Sequence, residues 1–365
     1  MPRIRREGRV TFSRIHPSPR RADVRLSRVL VFVRISGALL VMTPSRFAML
    51  RVLADCGLHS EEGLARSTGL SGGAVRRLVD EVEALGLCVS RERDRGYRLT
   101  EPVDLLDPQA LPAKVKKAAP GLHVEVVDEC PSTNSALLER ASAGAPHGTV
   151  LVCEHQSAGR GRRGNAWIGS VGGSLAFSIL WRFPGGAGTL SGLSLAVAVG
   201  AARGLERQGM RRVKVKWPND LYCGEGKLGG ILIETAGSAS GPIAAIVGVG
   251  VNVRLTAAAR DQIDRAATDV ASHCETEPSR GELLVALLES MDETLVRFSR
   301  DGFAPFREEW LRRHAWHGRQ VALLHGGRSV ARGEVVGVAE DGALMLESEG
   351  SVRRFHSGEL SLRVA

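Results

Sequence analysis

The sequence has few of the features that indicate metal, disulfide or covalent chemistry. Its six cysteines are scattered and form no CxxC pair, which argues against a zinc site and a disulfide-stapled fold. We therefore predict reduced thiols and no metal-ligating residues. The phosphate loop GxxxxGK[ST] is absent, and no Ser-His-Asp or cysteine-nucleophile motif is recognisable. A covalent enzyme intermediate is not indicated.

One apolar stretch resembles a signal or membrane segment. The apolar stretch at residues 28–42 is too short to span a bilayer and is interrupted by Arg34. It has no clear small-residue cleavage site of the kind that ends a signal peptide. We therefore predict a cytoplasmic protein with no membrane partner.

The composition is that of a globular protein, with 43% hydrophobic and 24% charged residues in a chain of 365 residues. That length predicts two or three domains. The net charge of +9 is concentrated at one end, because residues 1–41 hold ten arginines and two acidic residues. The remaining chain is nearly neutral, so overall charge does not predict nucleic-acid binding.

Residues 1–42 are read as a basic N-terminal extension. Three interpretations stay open: a disordered arm, an upstream segment that precedes a true start at Met42, and a targeting segment. No motif that follows depends on this extension.

Residues 43–104 have the pattern of a winged helix-turn-helix. A helical segment with Ser60 as a candidate N-cap is followed by a tight turn and a second helix, which Ser71 can cap. The segment LCVSRERDRGYRLT at 87–100 then alternates around a turn, as a small hairpin or wing does. Arg76 and Arg77 lie early in the predicted recognition helix, where contacts to base edges are made. Arg91, Arg93 and Arg95 in the wing are candidates for phosphate contacts.

Three further segments complete the predicted domain organisation. Residues 105–120, in a proline-rich stretch, are predicted to be a linker. Residues 121–314 alternate between strand and helix patterns, which predicts a mixed α/β domain. Residues 315–365 have short strands separated by HGG and EDG turns and predict a small SH3-like β-barrel. The fold class is therefore multidomain α+β.

The segment GRGRRG at 159–164 is the clearest candidate for an anion site. Its glycines allow backbone N–H groups to point at a ligand. Arg160, Arg162 and Arg163 can supply paired donors to a carboxylate or phosphate. A dinucleotide-binding fold is disfavoured, because turn residues rather than a helix follow the glycines. An ordinary solvated basic loop remains the alternative.

Other polar residues lie at the ends of predicted strands or helices. Asp220 follows a strand in VKVKWPND, and Lys227 enters an apolar strand in GKLGGILIE, where an anion would offset the cost of burial. The turn PSTN at 131–134 can offer a helix N-terminus to a polar ligand. Gln156 and Asn252 also end strands. Singly each signal is weak, but together they predict several loops that converge on an anion with cations, amide donors and one carboxylate.

These segments resemble the biotin protein ligases. The resemblance rests on six stretches in the same order and at similar spacing: PSTN at 131–134, EHQSAGRGRRGNAW at 154–167, KWPNDL at 216–221, GKLGGILIE at 226–234, GVGVNV at 248–253 and GELSLR at 358–363. Together with the predicted winged helix, it covers residues 45–365 and is similar to the bifunctional members, which also repress the biotin operon.

The resemblance implies the reaction and the site. Biotin and ATP, with Mg²⁺, would give biotinoyl-5′-AMP, from which the acyl group passes to a lysine of a carboxyl carrier domain. The implied biotin-binding residues are Ser132, Thr133, Asn134, Gln156, Arg160, Gly161, Arg162, Lys227 and Gly230. The implied nucleotide-binding residues are Arg162, Trp167, Asp220 and Asn252. Arg162, Lys227 and Asp220 would be catalytic.

The resemblance also implies regulation. Ser71, Arg76, Arg77 and Arg93 would contact operator DNA, bound by a homodimer that the adenylate favours. One departure concerns the nucleotide: residues 254–272 hold no aromatic side chain, whereas some relatives cover the adenine with one. Val251, Leu255 and Ile263 are the candidates to replace it.

Two rival functions remain at this point. One is a ligase of the same fold that acts on lipoate or octanoate, and the arginine loop and GKLGG favour biotin over it. The other is a biotin-sensing DNA-binding regulator with weak catalysis. The intact arginine loop and Lys227 argue against that regulator.

Overall fold

The computed structural model describes residues 32–35, 38–41, 45–237, 241–263, 266–358 and 360–364. The first two segments are short strands, β1 (Phe32–Ile35) and β2 (Ala38–Val41), which pair in antiparallel fashion. Most of the predicted N-terminal extension lies outside the described residues.

Residues 45–100 form three helices and a hairpin. The elements are α1 (Arg46–Leu53), α2 (Glu61–Thr68), α3 (Gly72–Glu83), β3 (Val89–Glu92) and β4 (Gly96–Leu99). The Ser60 hydroxyl accepts the Gly63 N–H and so caps α2, as predicted. Ser71 occupies the N-cap position of α3 but makes no capping hydrogen bond with its side chain. The predicted apolar stripe of α3, which includes Val75 and Val82, is buried in the centre of this unit.

Residues 105–120 connect this unit to the rest of the chain, but they are not a loose linker. They contain α4 (Leu111–Ala118), with Pro112 in its first turn, where a missing N–H costs nothing. Leu111, Val115 and Ala119 recur at four-residue spacing and are buried in the main core. The proline content predicted a linker. The segment instead contains a helix, because its apolar residues recur every four positions and pack into the core.

The central domain is built on a seven-stranded mixed sheet. Its elements are β5 (His123–Cys130), α5 (Thr133–Ser142), β6 (Thr149–Gln156), β7 (Ser174–Phe183), α6 (Leu193–Arg207), β8 (Lys214–Lys216), β9 (Asp220–Cys223), β10 (Gly226–Gly237), β11 (Ile243–Asn252), α7 (Ala257–Asp261), α8 (Arg280–Asp301) and α9 (Ala304–Arg313). The strand order is β5-β6-β7-β11-β10-β9-β8, and only β5 and β6 pair in parallel. This confirms the mixed α/β core.

Helices cover both faces of this sheet. Leu180 of β7 joins a cluster with Leu137 of α5, whereas its neighbours Ile179 and Trp181 join the large cluster that includes α6 and α8. The segment Ala187–Arg207 is long and apolar enough to cross a membrane by length and composition alone, but 61% of its most apolar window is buried inside the protein. Its apolar character follows from its place in the core.

The C-terminal domain is a five-stranded antiparallel sheet. It consists of β12 (Gln320–His325), β13 (Arg328–Val338), β14 (Leu344–Ser348), β15 (Ser351–Phe355) and β16 (Leu360–Val364). The strand order is β15-β14-β13-β12-β16. Positive φ angles at Gly327 and Gly342 confirm the two predicted turns. Its buried side chains, such as Leu323 and Leu346, are continuous with the main core.

The N-terminal unit is joined to the central domain by polar and apolar contacts. Arg51 of α1 pairs with Asp128 near the end of β5. A buried ion pair joins Arg280 to Glu154 at 2.8 Å. The same two side chains bind the backbone of the connecting segment, at the carbonyl of Asp104 and the N–H of Leu106. The entry into the central domain is therefore held at fixed positions.

Candidate active site

One cleft collects the ends of β6, β8, β10 and β11 together with the loops around them. All twelve residues that the resemblance implied as biotin- or nucleotide-binding line it: Ser132, Thr133, Asn134, Gln156, Arg160, Gly161, Arg162, Trp167, Asp220, Lys227, Gly230 and Asn252. Distant segments thus meet at one place, as the convergence argument predicted.

The inner wall of the cleft is the turn before α5. Ser132, Thr133 and Asn134 are each less than 5% exposed. Ser132 holds the N-cap position without a capping bond from its side chain. The Thr133 N–H donates to Gln156 Oε1 at 2.8 Å, so the side-chain oxygen of Gln156 is taken up by the protein. The turn therefore presents a helix N-terminus and fixed polar groups to the cleft.

The arginine loop forms a tight hairpin over the cleft. The Gly161 N–H donates to the Asn165 carbonyl at 2.7 Å, and the Trp167 N–H donates to the Gly159 carbonyl at 2.9 Å. A Cβ at Gly159 would lie 2.5 Å from the Trp167 carbonyl, so a larger residue does not fit there. Glycine is needed here for close backbone approach rather than for a positive φ.

The arginines of this loop already have protein partners. Arg160 donates to both carboxylate oxygens of Glu234, at 2.7 and 2.8 Å. Arg162 donates to the carbonyls of Ser357 and Gly358, at 3.0 and 2.5 Å, and so reaches the C-terminal domain. The sequence predicted donors that await an anion, whereas the structure gives each of these two side chains an acceptor within the protein.

A lysine and a carboxylate face each other on β10 and β9. Lys227 Nζ lies 2.6 Å from Asp220 Oδ1, and the Asp220 side chain is 14% exposed. The anion that offsets burial of Lys227 is therefore Asp220. An anionic ligand in the cleft can compete for the same ammonium group.

Comparison with known proteins supports the same chemistry. The chain is 32% identical over 317 residues to the bifunctional ligase/repressor BirA of Salmonella typhimurium, covering 87% of this chain and 97% of the relative. The chain belongs to the biotin protein ligase family. Residues 126–252 match the biotin/lipoate A/B protein ligase family, and residues 317–363 match the biotin protein ligase C-terminal domain. The prediction of a biotin ligase is confirmed.

Other relatives agree. The biotin–[acetyl-CoA-carboxylase] ligase of Paracoccus denitrificans is 35% identical over 221 residues, which cover 59% of this chain and 90% of that protein. The solved biotin protein ligase of Aquifex aeolicus in complex with biotin and ATP superposes with a TM-score of 0.57 and 29% identity. It covers 66% of this chain and 99% of its own.

Several residues of this ligase's cleft were missed by sequence reasoning. Lys216 is 5% exposed, lines the cleft, and lies with its Nζ 4.0 Å from the centre of the Trp316 ring. Asn219 is hydrogen-bonded to β10. Its side-chain Nδ2 donates to the Ile231 carbonyl at 2.7 Å, and its backbone carbonyl accepts the Ile231 N–H. The motif KWPND contained both residues, but nothing in the pattern distinguished them from Asp220.

Two glycines of β11 were also missed. A Cβ at Gly248 would lie 2.2 Å from Asn134 Oδ1, and a Cβ at Gly250 would lie 2.6 Å from the Trp167 ring. The two glycines lie two positions apart along the strand and therefore face the same side of the sheet. Glycines at i and i+2 inside an apolar strand were a usable signal for a face kept clear.

The outer wall holds the residues near the predicted nucleotide position. Ile263 lines the cleft, but Val251 and Leu255 are buried in the protein and do not. Asn252 donates from its Nδ2 to the Thr268 carbonyl at 3.0 Å, which fixes the following segment. Burial raises the pKa of Asp269 in that segment. Hydrogen bonds from Ser272 and Leu255 and the charge of Arg260 outweigh burial, so the net pKa lies below its ordinary value.

Within the described part of the chain, no group of three or more His, Cys, Asp or Glu side chains could hold a metal ion. Asp220 lines the cleft and is engaged by Lys227.

The predicted DNA-contacting residues divide into two groups. Arg76 pairs with Glu61 at 3.0 Å, and Arg91 pairs with both Asp80 and Glu83 of α3 at 2.5 Å. Arg95 pairs with a neighbouring acid of the hairpin. Ser71, Arg77 and Arg93 are exposed as well, but the ion pairs in the described part of this unit do not include them. Arg91 thus holds the hairpin against α3, a function that the sequence did not predict.

Proposed function

We propose that the protein joins biotin to a lysine of a biotin carboxyl carrier domain through biotinoyl-5′-AMP. The carboxylate oxygen of biotin attacks the α-phosphorus of ATP and pyrophosphate leaves. The carrier amine then attacks the acyl carbon and AMP leaves. The observation that carries the proposal is the convergence of Arg162, Lys227 and the turn before α5 on one cleft. The Aquifex aeolicus relative binds biotin and ATP with the same fold.

The roles of the residues follow from their positions. Biotin binds against Ser132, Thr133 and the helix N-terminus, which offer donors and acceptors to its polar ring. Lys227 moves from Asp220 to the reacting carboxylate and α-phosphate, where negative charge develops. Asp220, released from Lys227, accepts a hydrogen bond from the carrier amine and orients it. Because no covalent enzyme intermediate is involved, catalysis depends on positioning and charge.

The arginine loop would respond to the ligand through Trp167 and Arg162. Trp167 has an indole nitrogen without a partner among the described residues, and it closes over the adenylate as the arginine loop tightens. Arg162 exchanges the carbonyls of Ser357 and Gly358 for phosphate oxygens. The C-terminal domain, which we propose to be an SH3-like barrel, therefore takes part in closing the site.

The decisive assay is biotin transfer to a purified carrier domain with ATP and Mg²⁺, run beside the same assay with lipoate and with octanoate. Transfer of biotin alone is the expected result. Transfer of lipoate or octanoate instead would contradict the proposal and support the rival ligase. Tight biotin binding without transfer would support the regulator with weak catalysis.

We further propose that residues 43–104 are a winged helix-turn-helix that represses transcription in response to biotin. The supporting observation is that α2, α3 and the β3–β4 hairpin leave Arg77 exposed in the first half of α3 and Arg93 exposed at the hairpin tip. A homodimer of the adenylate-bound protein would bind a two-part operator. Bound adenylate must then favour the dimer over the monomer.

The repressor function is tested without knowledge of the operator. Duplexes are selected from a random library by the protein with biotin and ATP, and the selection is repeated without them. Enrichment of a two-part site only with both ligands is expected. No enrichment under either condition would contradict repression while leaving the ligase proposal intact.

A further inference from the structure

A chain of hydrogen bonds runs behind the inner wall of the cleft, and it ends on a carboxylate that the motifs did not point to. Asn134 is 3% exposed, and its amide occupies the space that the glycine at 248 leaves open. Asn134 Nδ2 donates to the Leu232 carbonyl at 3.1 Å and to Glu234 Oε2 at 2.9 Å. Glu234, on β10, is not among the side chains that line the cleft.

The directions of these hydrogen bonds are determined by counting protons. Both partners of the Asn134 nitrogen are acceptors, so the Asn134 oxygen faces Ser178, 2.6 Å away. An amide oxygen only accepts, and therefore the Ser178 hydroxyl donates its proton there. Thr133 Oγ1 lies 2.7 Å from Ser178 Oγ and 3.2 Å from Gln156 Oε1, and its single proton is donated to one of these two acceptors. The Glu234 carboxylate and the Leu232 carbonyl thus set the orientation of the Asn134 amide, and with it the direction of the hydrogen bond from Ser178.

The same carboxylate holds the opposite wall of the cleft. Arg160 Nη2 lies within 2.8 Å of both oxygens of Glu234, 74 positions away in the sequence. Arg160 belongs to the hairpin that covers the site. Glu234 is therefore bonded both to the turn before α5 and to the arginine loop.

We infer that Glu234 is a positioning residue for biotin, acting through Asn134 on one side and Arg160 on the other. This inference rests on the proposed ligase function and concerns the acid substrate rather than ATP. Glu234 helps to fix the orientation of Asn134 in the turn that faces the biotin ring, and it holds the arginine loop near its closed position before the ligand binds. Arg160 serves as a latch for the loop, not as a receptor for the carboxylate or phosphate.

The contact of Glu234 with Arg160 and its contact with Asn134 differ in strength. The Arg160 side chain is 43% exposed, and a partly exposed ion pair contributes little to stability. Asn134 and Ser178 are buried, where a polar group without its partner is costly. Loss of the carboxylate should therefore disturb the polarity of the turn strongly and the loop moderately.

The test compares Glu234→Gln with Ser178→Ala and with Glu125→Gln as a matched control. Glu125 accepts two hydrogen bonds from Arg140 on the same sheet but outside the cleft. Glu234→Gln keeps the shape and places an amide NH₂ against donors. We expect its KM for biotin to rise about tenfold, the size expected for one lost charge-assisted hydrogen bond. Its kcat and its KM for ATP should stay within about twofold of wild type, since the Glu234 side chain does not line the cleft where ATP and the reacting groups bind.

Ser178→Ala should raise the KM for biotin in the same way, because it breaks the same chain of hydrogen bonds without touching Arg160. Hydrogen exchange of the peptide 159–167 separates the two sides of the mechanism. In the protein without ligand, Glu234→Gln should accelerate exchange there, whereas Ser178→Ala and Glu125→Gln should not.

An unchanged KM for biotin in Glu234→Gln would overturn the inference. An equal rise in the KM values for biotin and ATP would also overturn it, because that indicates general loosening of the site. The wild-type protein is measured first in the same assay. Failure of wild type to transfer biotin would contradict the proposed function itself, which is a different outcome from a variant that behaves like wild type.

Discussion

The ligand cleft and the N-terminal unit both depend on arginines and polar groups, but they hold them differently. In the cleft, Thr133 and Asn134 are buried, and their partners lie on strands of the central sheet. In the N-terminal unit, Arg76 of α3 and Glu61 of α2 are 59% and 29% exposed and can separate into water. Exposed pairs contribute little, whereas buried polar groups that lose a partner are costly.

The difference separates two kinds of binding surface. The cleft has a preformed inner wall that a small ligand can recognise at once. The arginines of the N-terminal unit form exposed ion pairs that are easily broken, so they can bind a polyanion instead. Changes in the cleft should therefore have large effects that depend on geometry, and changes on α3 should have small effects that depend on charge.

The largest effect is expected at Lys227. Lys227→Ala should reduce pyrophosphate release in the presence of biotin and ATP by about 1,000-fold, because a cation at the developing charge is lost. Lys214→Ala is the control: it removes a lysine of the same sheet that reaches the Arg312 carbonyl outside the cleft. A wild-type rate in Lys227→Ala would show that the cleft does not stabilise charge through this residue.

Gly250→Ala should have the next largest effect. The added Cβ would lie 2.6 Å from the Trp167 ring, so the indole has to move. Displacement of about 1 Å at a positioning group can cost about 100-fold in rate. We expect faster loss of the adenylate, followed by rapid filtration, and a shift in tryptophan emission. Gly281→Ala, where the added Cβ would meet nothing within 4 Å, should leave both unchanged. Normal adenylate retention in Gly250→Ala would mean that Trp167 does not close the site.

The success of the predictions from sequence also differs, between the residues that line the cleft and the partners that hold them. Twelve of the residues that line the cleft were predicted, because they lie in turns and strand segments whose residue types already indicate anion binding. Their partners were not, because pairing depends on which strands become neighbours: Glu234 lies 74 positions from Arg160. The helix at 111–118 was missed since prolines outweighed an apolar spacing of four. The arginines of α3 and the wing were predicted as DNA contacts from their positions, and no sequence pattern showed that Glu61 would reach Arg76, or that Asp80 would reach Arg91.

On the N-terminal unit, Arg77 and Arg91 should behave differently. Arg77→Ala should weaken binding to a selected duplex by about tenfold without changing Tm, since an exposed arginine is lost. Arg91→Ala should lower Tm, because Arg91 joins the hairpin to Asp80 and Glu83. Its effect on DNA affinity should be smaller than that of Arg77→Ala. A larger loss of affinity in Arg91→Ala with an unchanged Tm would instead make Arg91 a direct phosphate contact.

The smallest effect tests whether α3 can release a charge to DNA. Glu61→Gln removes the carboxylate that holds Arg76 and should strengthen DNA binding by about threefold, with a steeper dependence on salt because one more arginine is free for phosphate. Glu62→Gln removes the same charge from the same turn of α2, where the side chain is exposed. Equal gains in the two variants would indicate that net charge alone is responsible.

Tyr97 gives an independent check of the Glu61 contact. Burial raises the pKa of Tyr97, and the charge of Glu61 together with a hydrogen bond of 3.2 Å raises it further. In Glu61→Gln the pKa of Tyr97 should therefore fall but remain above its ordinary value, since burial persists. The chain has two tyrosines, so an ultraviolet titration resolves the change. A pKa that does not move would mean that the Glu61 carboxylate does not contact Tyr97.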